Sequence, residues 1–177
     1  KTNISKLRLI TIARLSWIKG LDFLVDTAFY LKKRGMDFEW LIIGDGGTQE
    51  RERYLYHAYE KNLINEVKFI GKKSHQETLK FLKSADIYVQ TSYNEGFCNA
   101  VLEAQALGKL CLAFNVGGLP ENILHGNTGW LLENFNTLQL AEKIITVSQL
   151  SEEEKNKITS RAMARVKEEF NIEKQQR

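Results

Sequence analysis

The runs Leu9-Ile10-Thr11-Ile12 and Trp40-Leu41-Ile42-Ile43 decide the fold class of this 177-residue chain. Both runs are apolar at nearly every position, whereas a strand with one face in water alternates apolar with polar residues. Strands of a parallel sheet that is covered by helices on both faces have this continuous apolar character. The two runs therefore predict buried strands of a parallel sheet.

Further apolar runs extend the predicted sheet to six strands. The candidate strands are Leu7–Ile12, Trp40–Ile43, Val67–Ile70, Ile87–Gln90, Leu110–Phe114 and Trp130–Leu132. Segments with helical spacing of apolar residues alternate with them, at Gly20–Lys33, Gln49–Lys61, Gln76–Ser84, Asn99–Leu107, Leu138–Gln149 and Glu152–Phe170. The alternation predicts an α/β fold with a doubly wound, mostly parallel, six-stranded Rossmann-like sheet and helices on both faces.

The composition fits one folded domain. Hydrophobic residues make up 43% of the chain and charged residues 27%, which is typical of globular proteins and not of disordered or coiled-coil chains. We expect residues 1–177 to form a single domain with its core at about 7–170. The longest stretches without a charged residue have 11 residues, too few to cross a membrane. With only two cysteines and no Cys-x-x-Cys pair, we expect a cytoplasmic protein.

The charges are distributed unevenly along the chain. Residues 1–85 carry 16 Lys and Arg against 10 Asp and Glu, whereas residues 86–150 carry 2 against 6. The positive charges are scattered and no aromatic stripe lies among them, so we expect no nucleic-acid partner. The basic first half leads us to expect peripheral association of the full protein with an anionic surface, the cytoplasmic face of a membrane.

Glycines and charged residues follow the carboxyl ends of the predicted strands. In an open parallel sheet, ligands bind at this edge, where loops lead into helix N-termini. The candidates are Arg14 and Lys19, then Gly44-Asp45-Gly46-Gly47, Gly71-Lys72-Lys73, Glu95-Gly96-Phe97-Cys98-Asn99 and Gly117-Gly118. Arginine, lysine and a helix N-terminus together can hold an anion such as a diphosphate without a metal.

Two patterns at this edge could be taken for ligand-binding motifs, and the second is open to more than one interpretation. The run Gly44–Gly47 is not a dinucleotide fingerprint, because Gln49 stands where the third glycine belongs and the run follows the second strand. Glu103 lies in the second turn of the helix that follows Glu95. Its carboxylate could accept hydrogen bonds from vicinal hydroxyls, as an acidic residue does with a ribose, or it could be a partly buried glutamate bonded to the backbone.

Six blocks of sequence follow one another along the chain: Ala13–Gly20, Ile43–Gly46, Val67–Gly71, Ala85–Val89, Glu95–Ala104 and Gly117–Glu121. In this order and spacing they resemble the C-terminal domain of retaining family-4 glycosyltransferases of GT-B architecture, from about Leu7 to Phe170. The resemblance implies one half of a GT-B fold. It also implies a separate N-terminal domain that binds the acceptor and is absent from this chain, so we expect the isolated chain to be inactive.

The resemblance implies a site for a nucleotide-sugar donor, which is a UDP-, GDP- or ADP-linked sugar. The implied reaction transfers a hexose-type sugar to a glycan, lipid or polysaccharide precursor with retention, and needs no cofactor and no metal. Arg14 and Lys19 would grip the diphosphate and stabilise its charge as it leaves, and Glu95 would be the candidate catalytic residue, in contact with donor-sugar hydroxyls. The other implied donor-binding residues are Gly44, Asp45, Phe69, Gly71, Gly96, Phe97, Cys98, Asn99, Leu102 and Glu103, with Glu103 on the ribose and the segment from Phe69 near the base.

Departures from the family pattern leave the charged residues in place. Ala13 and Cys98 stand where the family often has glycine, Thr48 where it often has proline, and Gln105 where methionine is common. No histidine is near Cys98 in sequence, so we do not interpret it as a nucleophile. Two alternatives stay open: a GT-B-type nucleotide-sugar epimerase domain and a non-catalytic nucleotide-binding domain.

Overall fold

The computed structural model describes residues 5–170. Within these residues the strands are β1 (Leu7–Ile12), β2 (Phe38–Ile43), β3 (Val67–Gly71), β4 (Ile87–Gln90), β5 (Leu110–Phe114) and β6 (Trp130–Leu132). The helices are α1 (Leu21–Lys33), α2 (Thr48–Glu60), α3 (His75–Ser84), α4 (Asn99–Ala106), α5 (Leu119–Asn122), α6 (Thr137–Ser148) and α7 (Glu152–Arg165). Each strand and each helix predicted from the sequence has its counterpart.

The six strands form one sheet in the order β3-β2-β1-β4-β5-β6, and every pairing between them is parallel. The predicted doubly wound α/β fold is confirmed, with a sheet that is parallel throughout rather than mostly parallel. The chain runs outward from β1 to β3 and then returns to place β4 beside β1. Loops after β1 and β4 therefore lead to opposite sides, which opens a crevice at the carboxyl edge of the sheet.

The continuous apolar run of β1 fills two cores at once. Leu9 belongs to the cluster that packs beneath α1, α2 and α6, whereas its neighbour Ile10 belongs to the cluster beneath α3 and α4. Successive strand residues point to opposite faces, so a sheet that is covered on both sides needs apolar residues at every position. The polar member of the run, Thr11, donates to the Val89 carbonyl at 2.6 Å and accepts from Trp40 Nε1 at 3.0 Å.

Four details differ from the expected elements. Strand β2 begins at Phe38, two residues early, because buried Phe38 pairs with Leu7. A 3-10 turn at Trp17–Lys19 and the four-residue helix α5 were not expected, and both are too short to show a period. Helix α7 ends in a π-helical turn at Val166–Phe170. No helix among residues 5–170 combines the length and the apolar character needed to span a membrane.

Candidate functional site

A cleft of about 590 Å³ opens at the carboxyl edge of the sheet, where the β1 and β4 loops diverge. Loops from four neighbouring strands and the first turn of α4 contribute to its walls. The lining residues are Ile12, Ala13, Arg14, Lys19, Ile43, Gly44, Asp45, Lys72, Lys73, Thr78, Gln90, Glu95, Phe97, Cys98, Asn99 and Ala100. The fold thus gathers segments that are up to 88 positions apart in sequence into one site.

Most of the residues predicted for the site lie around this cleft. The predicted residues that line it are Arg14, Lys19, Gly44, Asp45, Glu95, Phe97, Cys98 and Asn99. Gly71, Gly96 and Glu103 lie in neighbouring positions of the same loops and of α4. Phe69 and Leu102 are 8% and 1% exposed, and their side chains pack in the core, Phe69 against the Tyr54 ring. Neither of these two side chains lines the cleft, because both strand β3 and helix α4 turn them inward.

Lys19 and Glu95 form an ion pair on the wall of the cleft. Lys19 Nζ lies 2.5 Å from Glu95 Oε1, and the Glu95 side chain is only 9% exposed. The same oxygen accepts from Ser92 Oγ at 2.7 Å and from Gln90 Nε2 at 3.1 Å. Three donors on one oxygen fix the carboxylate. No residue within 5–170 forms a hydrogen bond with Glu95 Oε2, so this oxygen can accept hydrogen bonds from a ligand.

Buried Tyr88 ties this network to the end of β1. Its hydroxyl donates to Gln90 Oε1 at 2.6 Å and accepts from the Ile12 N–H at 3.3 Å. Burial raises the pKa of the Tyr88 phenol well above its usual range, so the group stays a neutral donor. The Gln90 amide is thereby oriented with its nitrogen toward Glu95 and Ser92.

The N-terminus of α4 faces the cleft through Asn99 and Ala100. Cys98 is the N-cap residue, and its backbone is held on both sides by the buried Asn122 side chain. Cys98 N–H donates to Asn122 Oδ1 at 3.1 Å, and Asn122 Nδ2 donates to the Cys98 carbonyl at 3.3 Å. A helix N-terminus that points into a cleft attracts anions through its unpaired N–H groups and its dipole.

Positive charge predominates in the cleft. Arg14, Lys19, Lys72 and Lys73 line it against two carboxylates. Arg14 is exposed and its side chain has no hydrogen bond or ion pair with another described residue, which leaves its guanidinium available to a ligand. Four cations around a crevice favour a ligand that carries several negative charges. Across the part of the chain that the structure covers, no group of three or more His, Cys, Asp or Glu could hold a metal ion.

Glycines hold the loops close together. A Cβ on Gly44 would lie 1.9 Å from the Ala13 carbonyl oxygen, so only glycine lets the β2 loop approach the β1 loop. Gly117 has φ +53°, and a Cβ there would lie 2.0 Å from the Glu95 carbonyl oxygen. Gly118 N–H donates to that same oxygen at 2.7 Å. The Gly117-Gly118 pair therefore supports the loop that carries Glu95.

Glu103 is partly buried, but the alternative of a bond to the backbone is wrong, because its partner is the His75 imidazole. His75 Nε2 lies 3.2 Å from Glu103 Oε1, and the two residues are 28 positions apart. Burial raises the pKa of the Cys98 thiol, which disfavours the thiolate and agrees with the interpretation that Cys98 is no nucleophile.

Two polar lining residues, Thr78 and Gln90, were neither predicted site residues nor candidates at the edge of the sheet. Lys72 and Lys73 also line the cleft, and their position after β3 had made them candidates at the carboxyl edge. Thr78 and Gln90 lie inside α3 and β4, and nothing in the sequence pattern distinguishes them from other buried polar residues.

Residues 2–165 match the model of a protein family described as glycosyl transferases group 1. The amylovoran biosynthesis glycosyltransferase AmsK of Erwinia amylovora is 32% identical over 171 residues, which cover 93% of this chain and 41% of AmsK. The chain therefore spans less than half the length of such a curated relative.

Solved structures share the fold. HepE from Anabaena, determined in complex with UDP-glucose, matches with a TM-score of 0.85 at 24% identity, over 97% of this chain and 47% of HepE. The C-terminal domain of LpcC, a glycosyl transferase group 1 family protein from Francisella tularensis, matches with a TM-score of 0.81 at 24% identity. That match covers 94% of this chain and 88% of the LpcC domain.

Proposed function

This chain belongs to the glycosyl transferases group 1 family, and on that basis we propose that it is the donor-binding domain of a glycosyltransferase. The donor is a nucleoside-diphosphate sugar, and the full-length protein transfers a hexose-type sugar with retention to a glycan, lipid or polysaccharide precursor. The observation that carries the proposal is the cationic cleft with the Lys19–Glu95 pair on its wall. HepE, which has the same fold, was solved with UDP-glucose.

The diphosphate binds where Arg14, Lys19 and the N-terminus of α4 converge. During transfer, negative charge accumulates on the departing nucleoside diphosphate. Fixed cations and N–H groups stabilise that charge without reorganising, which is the main electrostatic contribution to catalysis in such sites. We propose that these groups take the role that a metal ion has in other sugar transferases.

Glu95 orients the donor sugar. Its Oε1 is occupied by Lys19, Ser92 and Gln90, while Oε2 is left to accept from sugar hydroxyls. Because Lys19 has three N–H donors, it can keep Glu95 and also contact a phosphate oxygen. The ion pair thus couples the sugar end of the donor to the diphosphate end.

Glu103 receives the ribose hydroxyls in this proposal. It lies one turn into α4, 24% exposed and bonded to exposed His75. A ribose hydroxyl would either displace His75 from Glu103 Oε1 or donate to the second carboxylate oxygen of Glu103. The base would then lie toward the loop after β3, near Gly71 and Lys72.

We propose a cytoplasmic location for the protein, with peripheral contact to a membrane. The support is the excess of basic residues over residues 1–85. Co-sedimentation of the full-length protein with vesicles of anionic lipid tests this, and binding should disappear at high salt. Binding that is equal with neutral vesicles would contradict it.

A thermal-shift panel of UDP, GDP, ADP and their sugars tests donor binding. A ligand at 100 times its dissociation constant should stabilise the chain by about 2.7 kcal/mol. Glu103→Ala should weaken every nucleotide, whereas Glu95→Ala should weaken only the sugar-bearing forms. Glu52→Ala, an exposed change on α2, is the matched control and should leave all shifts unchanged.

Two results would count against the proposal. The absence of a shift with every nucleotide would contradict donor binding itself. If Glu95→Ala weakened the nucleotides without sugar as much as Glu103→Ala does, the roles of the two carboxylates would be contradicted, while donor binding would stand.

A further inference from the structure

We infer that the C-terminal end of α7 holds the wall of the cleft in place, with Arg165 and Phe170 as positioning residues for the loop 97–99. Neither residue lines the cleft, and both are 66 or more positions from that loop in sequence. The effect on nucleotide affinity rests on the proposed function, whereas the effect on the loop itself does not. Two separate sets of contacts lead to this inference.

The first set is a series of hydrogen bonds. Arg165 Nη1 donates to the Asn122 carbonyl at 3.1 Å, and Nη2 donates to the Glu121 carbonyl at 2.7 Å. These carbonyls close the short helix α5, whose last C=O groups have no partner in the next turn. One planar guanidinium thus fixes the end of α5 with two bonds, a geometry that lysine cannot reproduce.

The end of α5 in turn fixes the cleft. Asn122 is fully buried, and both polar atoms of its side chain bond to the backbone of Cys98. Cys98 is the N-cap of α4 and lines the cleft. If Arg165 no longer held Asn122, the Cys98 backbone would lose its restraint, and the N–H groups at the start of α4 would change direction.

The second set of contacts is aromatic. The Phe170 ring lies 5.2 Å from the ring of Phe97, which lines the cleft and is 39% exposed. The guanidinium of Arg165 lies 4.9 Å from the centre of the Phe170 ring, a favourable cation–π distance. Arg165 therefore contacts both Asn122, which holds the Cys98 backbone, and Phe170, which packs against Phe97.

The backbone of α7 changes at this point. Val166–Phe170 forms a π-helical turn that packs, like α7 itself, against α4. Single π-turns are rare and are frequently found at functional sites. Here the turn follows Arg165 directly and ends at Phe170, which packs against Phe97 of the cleft loop.

The test compares Arg165→Ala with the matched variant Arg161→Ala, which removes an exposed arginine one turn earlier on the same helix. Two quantities are measured on the 177-residue chain below its melting temperature. They are the dissociation constant for UDP by calorimetry and the amide hydrogen exchange of residues 97–100 without ligand. We expect Arg165→Ala to raise the dissociation constant about fivefold or more, a usual size for coupling between distant groups.

Exchange at residues 97–100 should become faster in Arg165→Ala while exchange in the sheet strands stays as it was. Arg165→Lys keeps the positive charge but should restore only part of the UDP affinity that Arg165→Ala loses. An ammonium does not reproduce the two N–H donors that the guanidinium directs at the two carbonyls. Arg161→Ala should match the wild type in both measurements. Phe170→Leu, which keeps apolar volume but removes the ring, should weaken UDP binding and loosen the same loop.

Unchanged affinity and unchanged exchange in Arg165→Ala would overturn the inference. If Arg165→Ala does not fold, Phe170→Leu decides by the same two measurements. If the wild-type chain binds no UDP, the proposed function fails, and the exchange of residues 97–100 still decides whether Arg165 positions the loop.

Discussion

At the scale of single residues, the cleft depends on places where a side chain would collide with a carbonyl oxygen. Gly117 is the clearest case, because a Cβ there would lie 2.0 Å from the oxygen of Glu95. The same residue has φ +53°, in the left-handed region that side chains rarely occupy. Both the backbone conformation of Gly117 and its close contact with the Glu95 carbonyl fix the position of the loop that carries Glu95.

We expect Gly117→Ala to lower the free energy of unfolding by about 3 kcal/mol, from backbone strain and from the displaced loop. Gly126→Ala is the matched control, since φ there is +76° but no atom lies within 4 Å of the added Cβ. It should cost only about 1 kcal/mol. Urea unfolding followed by circular dichroism measures both, and equal losses would show that the contact with Glu95 has no effect.

The two cysteines provide a second test at this scale. Cys98 and Cys111 are 7% and 0% exposed, and burial raises the pKa of both thiols. The thiolate is the reactive form, so at pH 8 both should react with a disulfide reagent far more slowly in the folded chain than in urea. Reaction of Cys98 at the rate of the unfolded chain would contradict its interpretation as an inert residue.

At the scale of helices and strands, the periodicity of the sequence predicts the long elements well. The apolar runs of β1 and β2 and the apolar stripe of α1 show clearly because each repeats over several turns or residues. The helix α5 and the π-turn after α7 have four and five residues, so tertiary contacts determine them. Asn122 shows the consequence, since it lies in α5 and its side chain holds the Cys98 backbone, a contact that no periodicity predicts.

The N-terminus of α7 is an element that the sequence does specify. Ser151 accepts from the Glu154 N–H at 3.1 Å and Glu154 Oε2 accepts from the Ser151 N–H at 3.1 Å, a reciprocal capping box. Ser151→Ala should therefore cost about 1 kcal/mol of unfolding free energy. Ser160→Ala, at an exposed position inside the same helix, should be neutral or slightly stabilising because alanine favours helix. If thermal unfolding showed Ser151→Ala to be as stable as Ser160→Ala, the cap would have no effect.

At the scale of the whole molecule, the residue types of the site could be predicted but their contacts could not. Arg14, Lys19 and Glu95 stand out because they follow strands at the edge where ligands bind. The Lys19–Glu95 ion pair joins residues 76 positions apart, and the His75–Glu103 contact joins residues 28 apart. Such pairs depend on the order of strands in the sheet, which no local pattern contains.

The length of the chain relative to its relatives leads to a prediction about activity. The chain covers 41% of AmsK. We expect it to bind a nucleotide sugar and to transfer no sugar to an acceptor on its own, because the acceptor site would lie elsewhere in the full-length protein. Transfer of labelled sugar by this chain alone would contradict that division.

The location of bound nucleotide tests the central claim most directly. Amide spectra of the 20.4 kDa chain, labelled with nitrogen-15, can be titrated with UDP and with UDP-glucose. We predict saturable shifts at residues 13–20, 44–46, 71–75 and 95–103, with the loss of Arg14 or Lys19 weakening both titrations. Shifts at the opposite edge of the sheet, or no shifts at saturating nucleotide, would contradict a donor site at the carboxyl edge.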